Sequence, residues 1–97
     1  MDSKGLAHIA NYYGLNNQLN QTIEECSELI KECSKSIRYC IPTDGLVEEI
    51  ADVYVMINQL AYLLKVPKQN VYDIVDSKIK RQIERIEKEK LKIKGEA

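Results

Sequence analysis

Apolar residues recur along this chain at steps of three and four, the period of amphipathic helices, and no stretch alternates with the period of a strand. Leu6, Ile9, Ala10 and Tyr13 outline a short first helix that Gly14 closes from a C′ position. Leu19, Ile23, Cys26, Ile30, Cys33 and Ile37 form the stripe of a second, longer helix, with Glu25, Glu28 and Glu32 along one edge of it. Ile41-Pro42-Thr43-Asp44-Gly45 is a break. A third helix is predicted from Asp44, as N-cap, to about Lys65, with the stripe Leu46, Ile50, Val53, Ile57, Leu60 and Leu64. Pro67 marks the next boundary, and Val71, Ile74, Val75, Ile79, Ile83 and Ile86 outline a fourth helix from about Lys68. From about residue 88 the chain is a charged tail with little to bury. The pattern predicts an all-α fold, a helical bundle of about four helices in one domain over 1–97. A chain of 97 residues buries one modest core, so homo-oligomerisation is expected to cover the remaining apolar surface.

Two acidic pairs stand out against these stripes: Glu25 with Glu28, and Glu49 with Asp52. Residues three apart on a helix lie about 60° from one another and one turn apart, so each pair can reach a common point. Glu49 falls inside its apolar stripe, with Asp52 at the margin. A carboxylate aimed into a core costs several kcal/mol unless it is neutralised or paired. If the pairs meet across an antiparallel hairpin, their midpoints place the turn near residue 38. A helix continuing to Cys40 would offset them by about 10 Å. An end to the second helix near Ser34-Lys35-Ser36 removes that offset and leaves residues 37–41 as a connection. Four carboxylates in one pocket repel, so they take up protons or hold a cation. Oxygen-only ligands suit Mg²⁺, with Mn²⁺ as a substitute, and Mg²⁺ in such a site keeps positions for water and phosphate oxygens. The plain alternative for the first pair is a solvated face of ion pairs involving Glu24, Glu28, Lys31, Glu32 and Lys35.

Charge and cysteine content narrow the setting. Lys and Arg number 14 against 15 Asp and Glu, a balance that gives no electrostatic grip on nucleic acid or an anionic membrane. No run of 18 apolar residues and no signal segment is present, so a cytoplasmic protein is expected. Cys26, Cys33 and Cys40 repeat every seven residues, about 10 Å apart on a helix and too far for a disulfide within it. They are expected to be small buried residues in a reducing compartment, the alternative being a disulfide between subunits.

Glu24-Glu25-Cys26-Ser27-Glu28-Leu29 followed by Glu48-Glu49-Ile50-Ala51-Asp52-Val53 resembles the ExxE and ExxD signature of the MazG-like all-α nucleoside triphosphate pyrophosphohydrolases. The superfamily includes the dimeric dUTPases and the phosphoribosyl-ATP pyrophosphohydrolases. The resemblance covers about residues 18–86, since Lys78 and Arg81 match basic positions that follow the ExxD helix in relatives. It implies Mg²⁺-dependent hydrolysis of a nucleoside triphosphate, NTP or dNTP, to the monophosphate and pyrophosphate by a homodimer or homotetramer. Glu25, Glu28, Glu49 and Asp52 would be metal ligands and catalytic residues; Lys78 and Arg81 would hold the triphosphate. Relatives place first-helix residues against the base, a role open to Tyr13, Asn16, Asn17, Gln18 and Asn20, of which Gln18 is the substrate-binding candidate. Ser27 replaces a usual small residue, a mild departure, and Asp76 stands where many relatives carry Asn. His8 is expected at the surface or in packing, and Tyr54 and Tyr62 in the core or a subunit interface. The rival class is a non-enzymatic helical module that binds a protein partner. A ferritin-like di-iron site is disfavoured because it needs ExxH pairs and the chain has one His.

Overall fold

Helices account for the described residues, 1–96, of the computed structural model, and no strand occurs among them. They are α1 (Ser3–Tyr39), α2 (Asp44–Leu63) and α3 (Lys68–Glu96). Asp2 caps α1 by accepting a hydrogen bond from the Gly5 N–H at 2.8 Å. The expected boundary at Gly14 is a break inside α1 and not its end: Gly14 has φ 80° and ψ 169° while helix resumes on both sides. A side chain adopts that conformation only under strain.

Two units make up the chain, Met1–Lys65 and Val66–Ala97. In the first, α1 and α2 pack as an antiparallel hairpin. Asn11 Nδ2 donates to Tyr62 Oη at 2.8 Å at one end, and Thr43 Oγ1 donates to Glu32 Oε2 at 2.7 Å at the other. Each step up α1 is thus matched by a step down α2.

The seam of this hairpin departs from the predicted apolar stripe on α1 and keeps half of it, Leu46, Val53 and Leu60, on α2. On α1 the buried and half-buried positions include Gln18, Thr22, Glu25, Leu29, Glu32 and Ser36, spaced alternately four and three. They belong to the acidic edge of the stripe. Leu46, Glu49, Val53, Met56, Leu60 and Leu63 answer them from α2 at the same spacing. Among the described residues only Ala10, Met56, Gln18 and Gln59 are buried, two apolar residues and two amides. The remaining stripe positions point away: Ile23, Ile30 and Ile37 are 66%, 67% and 79% exposed, and Ile50, Ile57 and Leu64 on α2 are exposed as well. This rotation corrects the expectation for the cysteines. Cys26 is half-buried, Cys33 and Cys40 are exposed, and all three thiols are free. Tyr54 and Tyr62 are likewise exposed.

The second helical segment does not end at Ser34–Ser36, as expected; α1 continues to Tyr39. Ser36 lies inside the helix, its hydroxyl donating to the Glu32 carbonyl one turn back at 2.9 Å. The predicted offset is absorbed by the connection, which doubles back along α1. Cys40 turns the chain in the left-handed conformation (φ 56°), and the Ile41 N–H donates to the Ser36 carbonyl. The Thr43 N–H then donates to Ser36 Oγ at 3.2 Å. Thr43, not Asp44, is the N-cap of α2, and its hydroxyl is committed to Glu32 instead of to its own helix. That bond comes first among the causes that hold the Glu32 carboxyl below its ordinary value, helped by Lys35 at 3.4 Å. A Cβ on Gly45 would lie 2.9 Å from Glu32 Cδ, so the glycine admits the carboxylate beside the start of α2.

The second unit is the helix α3. Its predicted stripe is half-buried at Val71 and exposed at Ile74, Val75, Ile79, Ile83 and Ile86. Among the described residues no helix is long and apolar enough to cross a membrane.

Nothing lies within 4 Å of a Cβ built on Gly14, so the cost of a side chain there is purely one of backbone. Gly14→Ala is expected to lower stability by about 1–3 kcal/mol, measured by urea denaturation. An unchanged midpoint would mean that the break at Gly14 is absent in solution.

Candidate metal centre

Glu25 on α1 and the Glu49–Asp52 pair on α2 converge across the hairpin. One carboxylate oxygen from each lies within 4.8 Å of the others. The register explains the meeting: Glu25 and Glu49 are both seam positions, and Asp52 sits one turn beyond Glu49. Glu25 and Glu49 are half-buried and Asp52 is exposed, so the cluster lies at the edge of the seam, open on one side. Gln21 Nε2 donates to Glu25 Oε1 at 2.9 Å and fixes that side chain from the preceding turn.

Among the described residues no cationic side chain forms an ion pair with any of these three groups. Among the described residues the ion pairs are Lys31 with Glu28, Lys35 with Glu32 and Lys90 with Glu87. Glu49 Oε2 is buried and has no hydrogen-bond partner. Burial is the first cause that pushes the Glu49 carboxyl above its ordinary value of 4.5, followed by the charge of Asp52 and then by Glu25, which is also within hydrogen-bond reach. Glu28 adds a smaller push from one turn along α1. It is half-buried, lies outside the tight trio and pairs with Lys31 at 3.7 Å. The donor set fits a hard divalent cation: it is all carboxylate, and one of its oxygens is desolvated without a partner.

Beside this cluster is a cavity of about 540 Å³. The break at Gly14 lets Ile9 and Tyr13 on one side of it and Gln18 and Gln21 on the other line the same space, opposite Val55, Met56 and Gln59 of α2. Four of the five residues expected near a base line it, Tyr13, Asn17, Gln18 and Asn20; Asn16 does not. Gln59 escaped the sequence reading, although its signal is the one that singled out Glu49, a polar residue among apolar neighbours in the α2 pattern. Glu32 was likewise visible only as an edge charge. Lys78, Arg81 and Asp76 lie exposed on α3 in the second unit, and His8 is exposed on α1.

Because its folded-state value is raised, the proton on Glu49 favours the folded state. That contribution is complete below the ordinary glutamate range and is lost as pH rises through the raised value. Glu32 acts in the opposite sense, favouring the fold above the ordinary range and losing that effect as pH falls. Comparison with Glu49→Gln isolates the first effect. In EDTA the two proteins should melt together at acidic pH, and the variant should melt higher at neutral pH. Parallel Tm curves across pH 4–8 would show that Glu49 is not under this strain.

No family model, curated protein or solved structure matches the chain.

Proposed function

We propose that this protein hydrolyses a nucleoside triphosphate at its α–β phosphoanhydride, releasing the monophosphate and pyrophosphate, with Mg²⁺ or Mn²⁺ as cofactor. The observation that carries the reading is the unpartnered, buried Glu49 Oε2 among three converging carboxylates that form no ion pair among the described residues. The ExxE and ExxD resemblance supports it from the sequence side.

In this reading Glu25, Glu49 and Asp52 hold the cation, and Glu28 supplements them from the next turn of α1. Bound Mg²⁺ supplies charge that polarises the α-phosphorus and lowers the pKa of water. The chain's own work is positional and acid–base. A water oxygen attacks the α-phosphorus, the bond to the β-bridging oxygen breaks, and pyrophosphate leaves with the bonding pair. The water proton passes to a carboxylate oxygen of the cluster, which acts as the general base. Lys78 and Arg81 hold triphosphate oxygens and offset the charge that gathers on the departing pyrophosphate.

The active form is a homodimer or homotetramer. Its support is the set of outward apolar stripes: Ile23, Ile30 and Ile37 on α1, Ile50, Ile57 and Leu64 on α2, and the stripe of α3. Burying one such side chain is worth about 1.5–3 kcal/mol, and contiguous exposed stripes mark interfaces. The three free thiols fit a reducing, cytoplasmic setting. Light scattering at micromolar concentration should return at least twice the chain mass of 11.2 kDa. A monomer at that concentration would remove the oligomer from the proposal.

Incubation with Mg²⁺ and a panel of NTPs and dNTPs should yield monophosphate and pyrophosphate in equal amounts. EDTA should abolish the reaction, and Glu49→Ala should reduce kcat by at least about a hundredfold. Nucleoside diphosphate plus phosphate as products would sink the α–β assignment. A folded protein that is silent across the panel, and whose Tm Mg²⁺ does not raise, would favour the rival class, a helical module that uses the same stripes to bind a protein partner.

A further inference from the structure

The near-neutral balance of the whole chain averages two unlike units. Met1–Lys65 carries five Lys and Arg against nine Asp and Glu, a net charge of −4, and Val66–Ala97 carries nine against six, a net charge of +3. The excess on α3 is ordered. Lys78, Arg81, Arg85, Lys88 and Lys92 follow one another at steps of three, four, three and four. At about 100° and 1.5 Å per residue they fall within an arc of about 80° and form a row about 21 Å long, with a cation every ~5 Å. All five are exposed, and among the described residues none forms an ion pair. Arg85 has a neutral partner, Gln82 Oε1, at 3.4 Å. No acidic residue lies inside the arc between Lys78 and Lys92, and Glu84 and Glu89 stand at its two edges. The apolar arc of α3, centred on Ile79 and Ile86, lies about 130° round the helix from this row. Association through that arc leaves the cations in solvent. The proposed reaction uses Lys78 and Arg81 alone, so Arg85, Lys88 and Lys92 are surplus to it.

We propose that this row binds the phosphate backbone of duplex nucleic acid, without regard to sequence. Like charges held one turn apart on a helix repel one another, and a polyanion of matching length relieves them together. About 21 Å of duplex presents about six phosphates on one strand, enough to face every cation of the row. A single strand would be held by stacking on aromatic rings, and the aromatic residue of α3, Tyr72, lies on the apolar side. An anionic membrane surface would seat an apolar arc together with the cations that flank it, and here the two point too far apart for one flat surface. The inference stands apart from the hydrolytic reading and needs neither the metal nor the reaction.

The test is fluorescence anisotropy of a labelled DNA duplex of mixed sequence with the full chain in EDTA, over a series of salt concentrations. Binding in the micromolar range is expected at low salt, with log K falling against log[salt] at a slope of about −3 to −4.5, the value for three to five neutralised phosphates. The triple variant Arg85→Gln, Lys88→Gln and Lys92→Gln should bind at least about tenfold more weakly and lose about 2.7 from that slope. Its circular dichroism, Tm and any Mg²⁺-dependent hydrolysis should be unchanged, since glutamine is a good helix former and the three residues lie outside the proposed site. Glu84→Gln combined with Glu89→Gln should bind more tightly than the natural chain, because it removes the two negative charges that border the row. No binding at low salt, a flat salt dependence, or a triple variant that binds as the natural chain does would each overturn the proposal. So would polyglutamate that competes as well as duplex at equal charge, which would make the partner an acidic protein segment. Phosphatidylserine vesicles that displace the duplex equally well would make it a lipid surface, with the same result. Duplex binding by a protein that hydrolyses no triphosphate keeps this proposal and removes the reaction; hydrolysis without duplex binding does the reverse.

Discussion

The α1–α2 register is the constraint on which the described geometry depends. Its ends are pinned by Asn11 with Tyr62 and by Glu32 with Thr43, and between those ties the residues that face one another are Glu25 and Glu49. A slip of one residue would rotate each seam position by about 100° and carry the carboxylates apart. The tie at the turn is the more constrained of the two. The Thr43 hydroxyl gives up capping its own helix to reach Glu32, and Gly45 leaves the space that the Glu32 carboxylate fills. Lys35 holds the same carboxylate from the other side, so one acidic side chain joins the end of the connection to the start of α2.

Much of this was legible from the chain alone, because helix type follows from periodicity and breaks follow from Gly14, Pro42 and Pro67. The carboxylates were legible for a different reason: a charged residue inside an apolar pattern is a conflict, and conflicts of that kind mark functional positions. What could not be read was which edge of the second stripe turns inward. A helical wheel ranks faces by hydrophobicity and assigns the most apolar one to the nearest neighbour. In α1 the neighbour receives the mixed edge of Gln18, Thr22, Glu25, Leu29, Glu32 and Ser36, and Ile23, Ile30 and Ile37 are left outside. The same inversion explains why Cys33 and Cys40 are exposed instead of buried. The end of α1 was misplaced for a local reason. The serines there are indifferent helix formers in isolation, but Ser36 serves the connection through both its carbonyl and its hydroxyl, which a propensity scale cannot see.

Three buried polar atoms without partners, Gln18 Oε1, Glu49 Oε2 and Gln59 Nε2, lie along the seam of this one hairpin. In a protein selected for stability alone such positions would be apolar, since a well-packed hydrophobe avoids the desolvation that each of these atoms bears. Here the fully buried set is half amide, and the residues best suited to a core are displaced to the outer faces. That division assigns two tasks to two surfaces. The inner seam holds polar atoms without hydrogen-bond partners, and the outer stripes are where apolar burial remains to be gained. An isolated hairpin with this seam is poorly stabilised by its own contacts, so the outward stripes and the unsatisfied seam are one design problem. Association on the outer faces can supply the stability that the seam withholds, and the seam is thereby free to stay polar.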